Sequence, residues 1–114
     1  MDAKRGHKFI TKEIEKALPA IYSQENVSDP IVVAKWFSPY SNWRWFAIEF
    51  DGEDIFFGLV QGFEVELGNF SKKELEELTF GLGRYQVPAI ERDLSWQPKK
   101  LSEVRASIEK YNFA

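Results

Sequence analysis

Between Pro30 and Ser71 the chain carries four short runs rich in β-branched and aromatic residues: IVVAKWF, WRWFAIEF, IFFGLVQ and GFEVELG. Runs of this length, bounded by Pro, Gly, Asn and Asp, read as strands. SPYSN separates the first two and DGED the next two. Connections this short favour a meander of antiparallel neighbours. Strands are predicted over Ile31–Phe37, Trp43–Phe50 and IFFGLVQ, with a hairpin turn near Asp51–Gly52. The fourth run alternates: Phe63, Val65 and Leu67 face one way, Glu64 and Glu66 the other. It reads as a half-exposed strand.

Helical signals flank this block. Thr11 can cap a helix starting at Lys12, with Ile14, Ala17, Leu18 and Ile21 as its apolar stripe and Pro19 ending or kinking it. Ser71 and Glu74 form an S-x-x-E capping box that opens SKKELEELT. FGLGRYQVP reads as a Gly-rich connection and AIERDLSW as a short strand. Ser102 is placed to cap a last helix with the stripe Val104, Ile108 and Tyr111. The expected fold is α+β: an antiparallel meander of about four to five strands, with helices packed on one face. Residues 1–8 read as a mobile arm and 9–114 as a single domain.

A chain of 114 residues with ten Phe, four Tyr and four Trp can fill a core without a staple. The absence of Cys excludes a disulfide framework, a thiol nucleophile and a Cys-ligated metal site. His7 is the only His, which excludes a His-based triad and a multi-His metal centre. There is no S-x-x-K, and the two Gly of FGLGRYQ do not make a phosphate-binding G-x-G-x-x-G. No apolar run approaches a membrane span, and no apolar stretch follows the basic start as a signal peptide would require. A cytoplasmic protein without a membrane contact or cofactor is the expectation.

The net charge of −3 offers no global attraction for nucleic acid. Its distribution is uneven: residues 49–77 hold nine acids and two Lys, and the remainder is basic by excess.

Strand alternation gives the second run two different faces. Arg44, Phe46, Ile48 and Phe50 share one, on which the Phe–Ile–Phe row belongs to a core. Trp43, Trp45, Ala47 and Glu49 share the other, which an antiparallel sheet can leave partly solvated. Two Trp on such a face would form a stacking platform. The alternative is that both are simply packed inside. The candidate contact surface is Tyr40, Asn42, Trp43, Arg44 and Trp45, with Arg92 nearby as an anion clamp.

Two other chemistries stay open. Glu49, Glu91 and Asp93 could converge on a divalent ion in a metal-dependent hydrolase or nuclease. Glu64 and Glu66 could head an acidic face that imitates nucleic acid in an interaction or inhibitor module. Residues of the DGED turn lack the spacing of a calcium loop and read as solvated acids.

Several stretches together carry a family resemblance: SNW-x-W at 41–45, FDGED-x-FFG at 50–58, ELG-x-FS at 66–71 and ERDL at 91–94 with the following P and LSE. The chain resembles a bacterial domain-of-unknown-function family associated with plasmids and integrative conjugative elements. That resemblance covers nearly the whole chain. It implies a mobile-element setting and supplies no activity, substrate or catalytic residue. The reading that combines both lines is a small non-enzymatic binding module serving DNA transfer or element maintenance. Its partner would be a protein or a single-stranded nucleic acid.

Overall fold

The computed structural model of the chain describes residues 6–112, so residues 1–5 of the expected arm lie outside the described residues. Residues 7–10 lie against the body of the protein. Phe9 is buried in the core, the Lys8 carbonyl accepts the Arg92 Nε–H at 3.2 Å, and His7 stands 3.2 Å from the Glu91 carboxylate. That last contact is at ion-pair distance but lacks hydrogen-bond alignment.

The elements run α1 (Lys12–Ala17), β1 (Ile31–Val32), β2 (Ala34–Phe37), β3 (Arg44–Phe50), β4 (Ile55–Gln61), β5 (Val65–Ser71), α2 (Lys72–Glu77), β6 (Thr79–Leu82), β7 (Tyr85–Pro88), β8 (Glu91–Arg92), β9 (Lys99–Lys100) and α3 (Leu101–Tyr111). Strands β2 to β5 pair in succession, all antiparallel, and β8 adds outside β2, giving the order β5-β4-β3-β2-β8. The expected α+β class and antiparallel meander are present.

The local rules that set the turns are visible. Thr11 caps α1, its Oγ1 accepting the Ile14 N–H at 3.2 Å, and Ser71 caps α2, accepting the Glu74 N–H at 3.1 Å. In the DGED turn, one oxygen of Asp51 accepts the N–H groups of Glu53, Asp54 and Ile55 at 2.8, 2.7 and 3.1 Å. Those donors favour the ionised form, so Asp51 titrates below the usual carboxylate range.

Four expectations are corrected. The strand 31–37 is broken at Val33, whose N–H donates to the Ala47 carbonyl at 2.9 Å. Its first half turns away to pair with β9, Val32 opposite Lys99. Next, β3 does not keep one alternation to its end. Ala47 opposes Gly58 but Glu49 opposes Phe57, so Ile48 is an extra residue in a β-bulge. The bulge shifts Phe50 to the other face, opposite Phe56, and leaves Ile48 and Phe46 together without it. Gly58 permits this approach of the two strands: a Cβ there would stand 1.8 Å from the Phe46 carbonyl oxygen.

The third correction concerns 79–88, which is a two-stranded hairpin and not a Gly-rich connection. Phe80, Leu82, Tyr85 and Val87 supply strand-forming side chains around the turn at Gly83–Arg84, and Thr79 Oγ1 bonds Gln86 Oε1 at 2.8 Å across it. Finally, Ser102 does not cap α3. The helix begins two residues earlier than that cap would set it, at Leu101, and Asp29 supplies the cap from another segment. Its carboxylate accepts the Ser102 N–H at 2.9 Å and the Ser102 hydroxyl at 2.6 Å.

Both faces of the main sheet are covered, because neighbouring residues of β3 are apolar on both sides. Phe46, Ile48 and Leu59 pack with Val32 and with Leu101, Val104 and Ile108 of α3. On the other face Trp36, Trp45, Ala47, Phe50, Phe56 and Phe70 pack with Phe9, Leu18 and Leu75 of α2, and the half-buried Ile14 of α1 joins them. The helices therefore divide between the faces instead of sharing one. Rings dominate the second cluster: Trp36 stands 5.1 Å from both Phe9 and Phe56, and Phe56 lies 4.5 Å from Phe50 and 5.1 Å from Phe70. The Trp36 indole N–H donates to the Phe9 carbonyl at 2.8 Å, so its one polar atom is satisfied inside the core.

Candidate functional site

Tyr40, Asn42, Trp43 and Arg44 lie at one end of the sheet, where the β2–β3 turn and the β4–β5 turn stand side by side. The first turn is held by its own polar groups. Ser38 N–H donates to the Trp43 carbonyl at 3.1 Å, Tyr40 N–H to Ser38 Oγ at 3.1 Å, and Trp43 N–H to Ser41 Oγ at 3.2 Å. A turn tied three times presents its side chains from a fixed backbone.

Tyr40 is 47% exposed and stacks on Phe80 of the hairpin, ring centres 4.1 Å apart and planes 8° from parallel. Asn42 is exposed and its carbonyl accepts from Arg44 Nη1 at 3.0 Å. Trp43 is half-buried. Its ring lies 5.9 Å from Trp45 on one side and meets Phe63 edge-on at 5.3 Å on the other. Gly62 makes room for that ring, since a Cβ there would come within 2.6 Å of it. Phe63 itself is 95% exposed.

Trp45 does not belong to this surface. It is 7% exposed and sits in the core cluster with Trp36 and Ala47, so the two Trp are one behind the other and not a flat pair. Arg92 lies across β2 from this turn, opposite Trp36. Its Nε–H is engaged by the Lys8 carbonyl, and partial burial lowers its pKa from the ordinary value. A guanidinium keeps its charge through such a shift.

The aromatic rim has an acidic border. Trp43, Val60, Gly62, Phe63, Glu64 and Glu66 line one shallow notch of about 290 Å³, with both carboxylates exposed. Phe63 was read as part of the fourth strand, but it lies in the turn before β5, which begins at Val65. This is why it projects from the surface. Phe63 and Phe80 are the members that sequence reading did not assign to the site. For Phe80 the available signal was the pairing of strand-forming residues on either side of Gly83.

The carboxylates considered for a metal occupy three separate settings. Glu49 is 3% exposed, and its two oxygens accept the Tyr22 N–H at 3.0 Å and the Gln24 N–H at 2.8 Å. Glu91 opposes Phe37, which opposes Arg44, five residues along β3 from Glu49. Asp93 stands 3.6 Å from the Lys35 ammonium. Lys35 is mostly buried, and desolvation lowers its pKa while Asp93 opposes that shift. Among the described residues no three His, Cys, Asp or Glu side chains form a group that could hold a metal ion.

A family model matches residues 9–110, under the description "Protein of unknown function (DUF2958)". The chain belongs to the DUF2958 family. The match begins at the buried Phe9 and ends within α3, so the DUF2958 region contains the whole five-stranded sheet and the aromatic rim. No curated protein and no solved structure matches the chain. No helix among the described residues is long and apolar enough to cross a membrane.

Proposed function

We propose that this protein is a binding module that docks a basic segment of a protein partner on the rim formed by Tyr40, Trp43, Phe63 and Phe80. The observation that carries the reading is Phe63: a fully projecting aromatic ring set edge-on against a Trp, with Glu64 and Glu66 lining the same notch. Aromatic faces attract Lys and Arg, at about 0.5–1 kcal/mol per exposed contact. Flanking carboxylates add complementarity for the same groups and repel phosphate. A protein partner is therefore favoured over a single-stranded nucleic acid, although stacking alone would suit either. The resemblance to a family of plasmids and integrative elements supports service in DNA transfer or maintenance, with the module acting on the proteins of that process.

The test is a tryptophan-fluorescence titration with an Arg- and Lys-rich peptide and, separately, with oligothymidylate. The expected result is saturable binding of the peptide that is lost in Phe63→Ser and weakened in Glu64→Gln/Glu66→Gln. Saturation by oligothymidylate alone would move the reading to nucleic acid. Peptide binding that is indifferent to Phe63 would remove the rim from consideration.

A further inference from the structure

Farther along β3 from the rim lies a second concavity, of about 350 Å³, between the main sheet and the segment 21–30. Ile48 and Leu101, both buried, are among its lining residues, as is the half-buried Phe57. Val27 and Leu67, each about half exposed, also line it and leave it open to solvent. This size and apolar lining match small-molecule sites, which carry few polar groups, each placed to fix orientation. Here the polar lining residues are Gln24, Glu25, Ser28, Glu49 and Asn69, of which Glu49 is the buried acid.

Glu49 is out of the ordinary for a core position. It is 3% exposed, and among the described residues no Lys, Arg or His forms an ion pair with it. Buried carboxylates are normally paired. Each of its oxygens accepts one backbone N–H, from Tyr22 and Gln24, and an ionised carboxylate can accept about four. The backbone it holds is itself strained: Tyr22 has φ 69°, a left-handed conformation rare for a bulky residue. Such strain persists where surrounding bonds impose it, and it concentrates at ligand sites. The bulge at Ile48 serves the same end. It places Glu49 on the α3 face with Ile48, where an unbroken alternation would have sent it to the opposite face.

We infer that this cavity binds a small apolar amine, its hydrocarbon body against Ile48, Phe57 and Leu67 and its cationic head on the Glu49 carboxylate. The bound cation would supply the missing counter-charge and use the remaining acceptor capacity.

The probe is 2-phenylethylamine, compared with 3-phenylpropionate and 2-phenylethanol, followed by amide NMR shifts on the full chain. The expected result is a saturable shift at Ile48, Glu49, Phe57 and Leu67 with the amine, weaker binding of the alcohol and none of the acid. Glu49→Gln should weaken the amine by roughly ten- to hundredfold, the worth of a charge-assisted hydrogen bond. Leu67→Trp, at a partly exposed strand position, should fill the entrance and abolish binding while leaving the rest of the spectrum unchanged. It decides the matter if Glu49→Gln fails to fold. No saturation with the amine at millimolar concentration, equal binding of amine and acid, or binding unaffected by Leu67→Trp would each overturn the inference.

Discussion

The two ends of the central hairpin, β3 and β4, are built from the same kinds of residues and use them in opposite ways. At the Asp51 end, acids are consumed by backbone. Asp51 accepts three N–H groups, and Asp54 accepts the Lys73 N–H at 2.8 Å and a Ser71 hydroxyl bond at the start of α2. The neighbouring rings of Phe50, Phe56 and Phe70 are buried. At the Trp43 end the aromatics reach the surface, and Glu64 and Glu66 are exposed beside them. The difference teaches that residue type alone does not separate scaffold from site. What separates them is whether a carboxylate finds unsatisfied backbone donors within reach, and whether a ring finds a covering helix.

The comparison can be broken most forcefully at the bulge. Gly58→Ala places a methyl group against the Phe46 carbonyl, and it is expected to cost about 3–5 kcal/mol, the range of severe core disruption. Urea denaturation would read this, and a loss below about 1 kcal/mol would show that the strands separate easily there. Glu49→Ala leaves two donors without an acceptor. A loss of roughly 2–4 kcal/mol is expected at the scaffold end, measured in the same way.

Asp51→Asn is milder, about 1 kcal/mol, because the turn is exposed and water competes. Its sign with pH is defined. The folded-state pKa is depressed, so the stabilisation from Asp51 is full above the unfolded carboxylate's range and lost as pH falls through the lower folded value. The gap between wild type and Asp51→Asn should therefore close in acid, and a pH-independent gap would refute the linkage. The smallest effect belongs to the rim. Phe63→Ser should change stability by less than about 0.5 kcal/mol, since that ring is almost wholly in solvent, while it removes partner binding. A larger loss would mean that the rim is scaffold after all.

Much of the scaffold end was legible from residues. β4 occupies the predicted run, Ile55–Gln61, because that run is continuous, β-branched and bounded by turns. Thr11 and Ser71 cap as their spacing implied. What could not be read depends on partners distant in sequence. The bulge needs Gly58 opposite Ala47, and a period-two reading of β3 alone sends Phe50 to the wrong face. Asp29 reaches α3 from 73 residues away, so Ser102 looked like the cap when it is the donor. At the rim, alternation put Trp43 and Trp45 on one face and left open whether that face is solvated or packed; Phe9, Leu18 and Leu75 share the buried cluster that takes in Trp45. Nothing in β3 itself announces that burial.

Because β1 leaves the main sheet at Val33 to pair with β9, this joint can form only after every strand of the five-stranded sheet has been synthesised. Until then α3 is also missing, and Phe46, Ile48 and Leu59 lack the cover of Leu101, Val104 and Ile108. During translation the opposite face, sealed by Phe9, Leu18 and Leu75, can close first. The face that also borders the Glu49 cavity is then the one a nascent chain shows longest to chaperones and to its own copies.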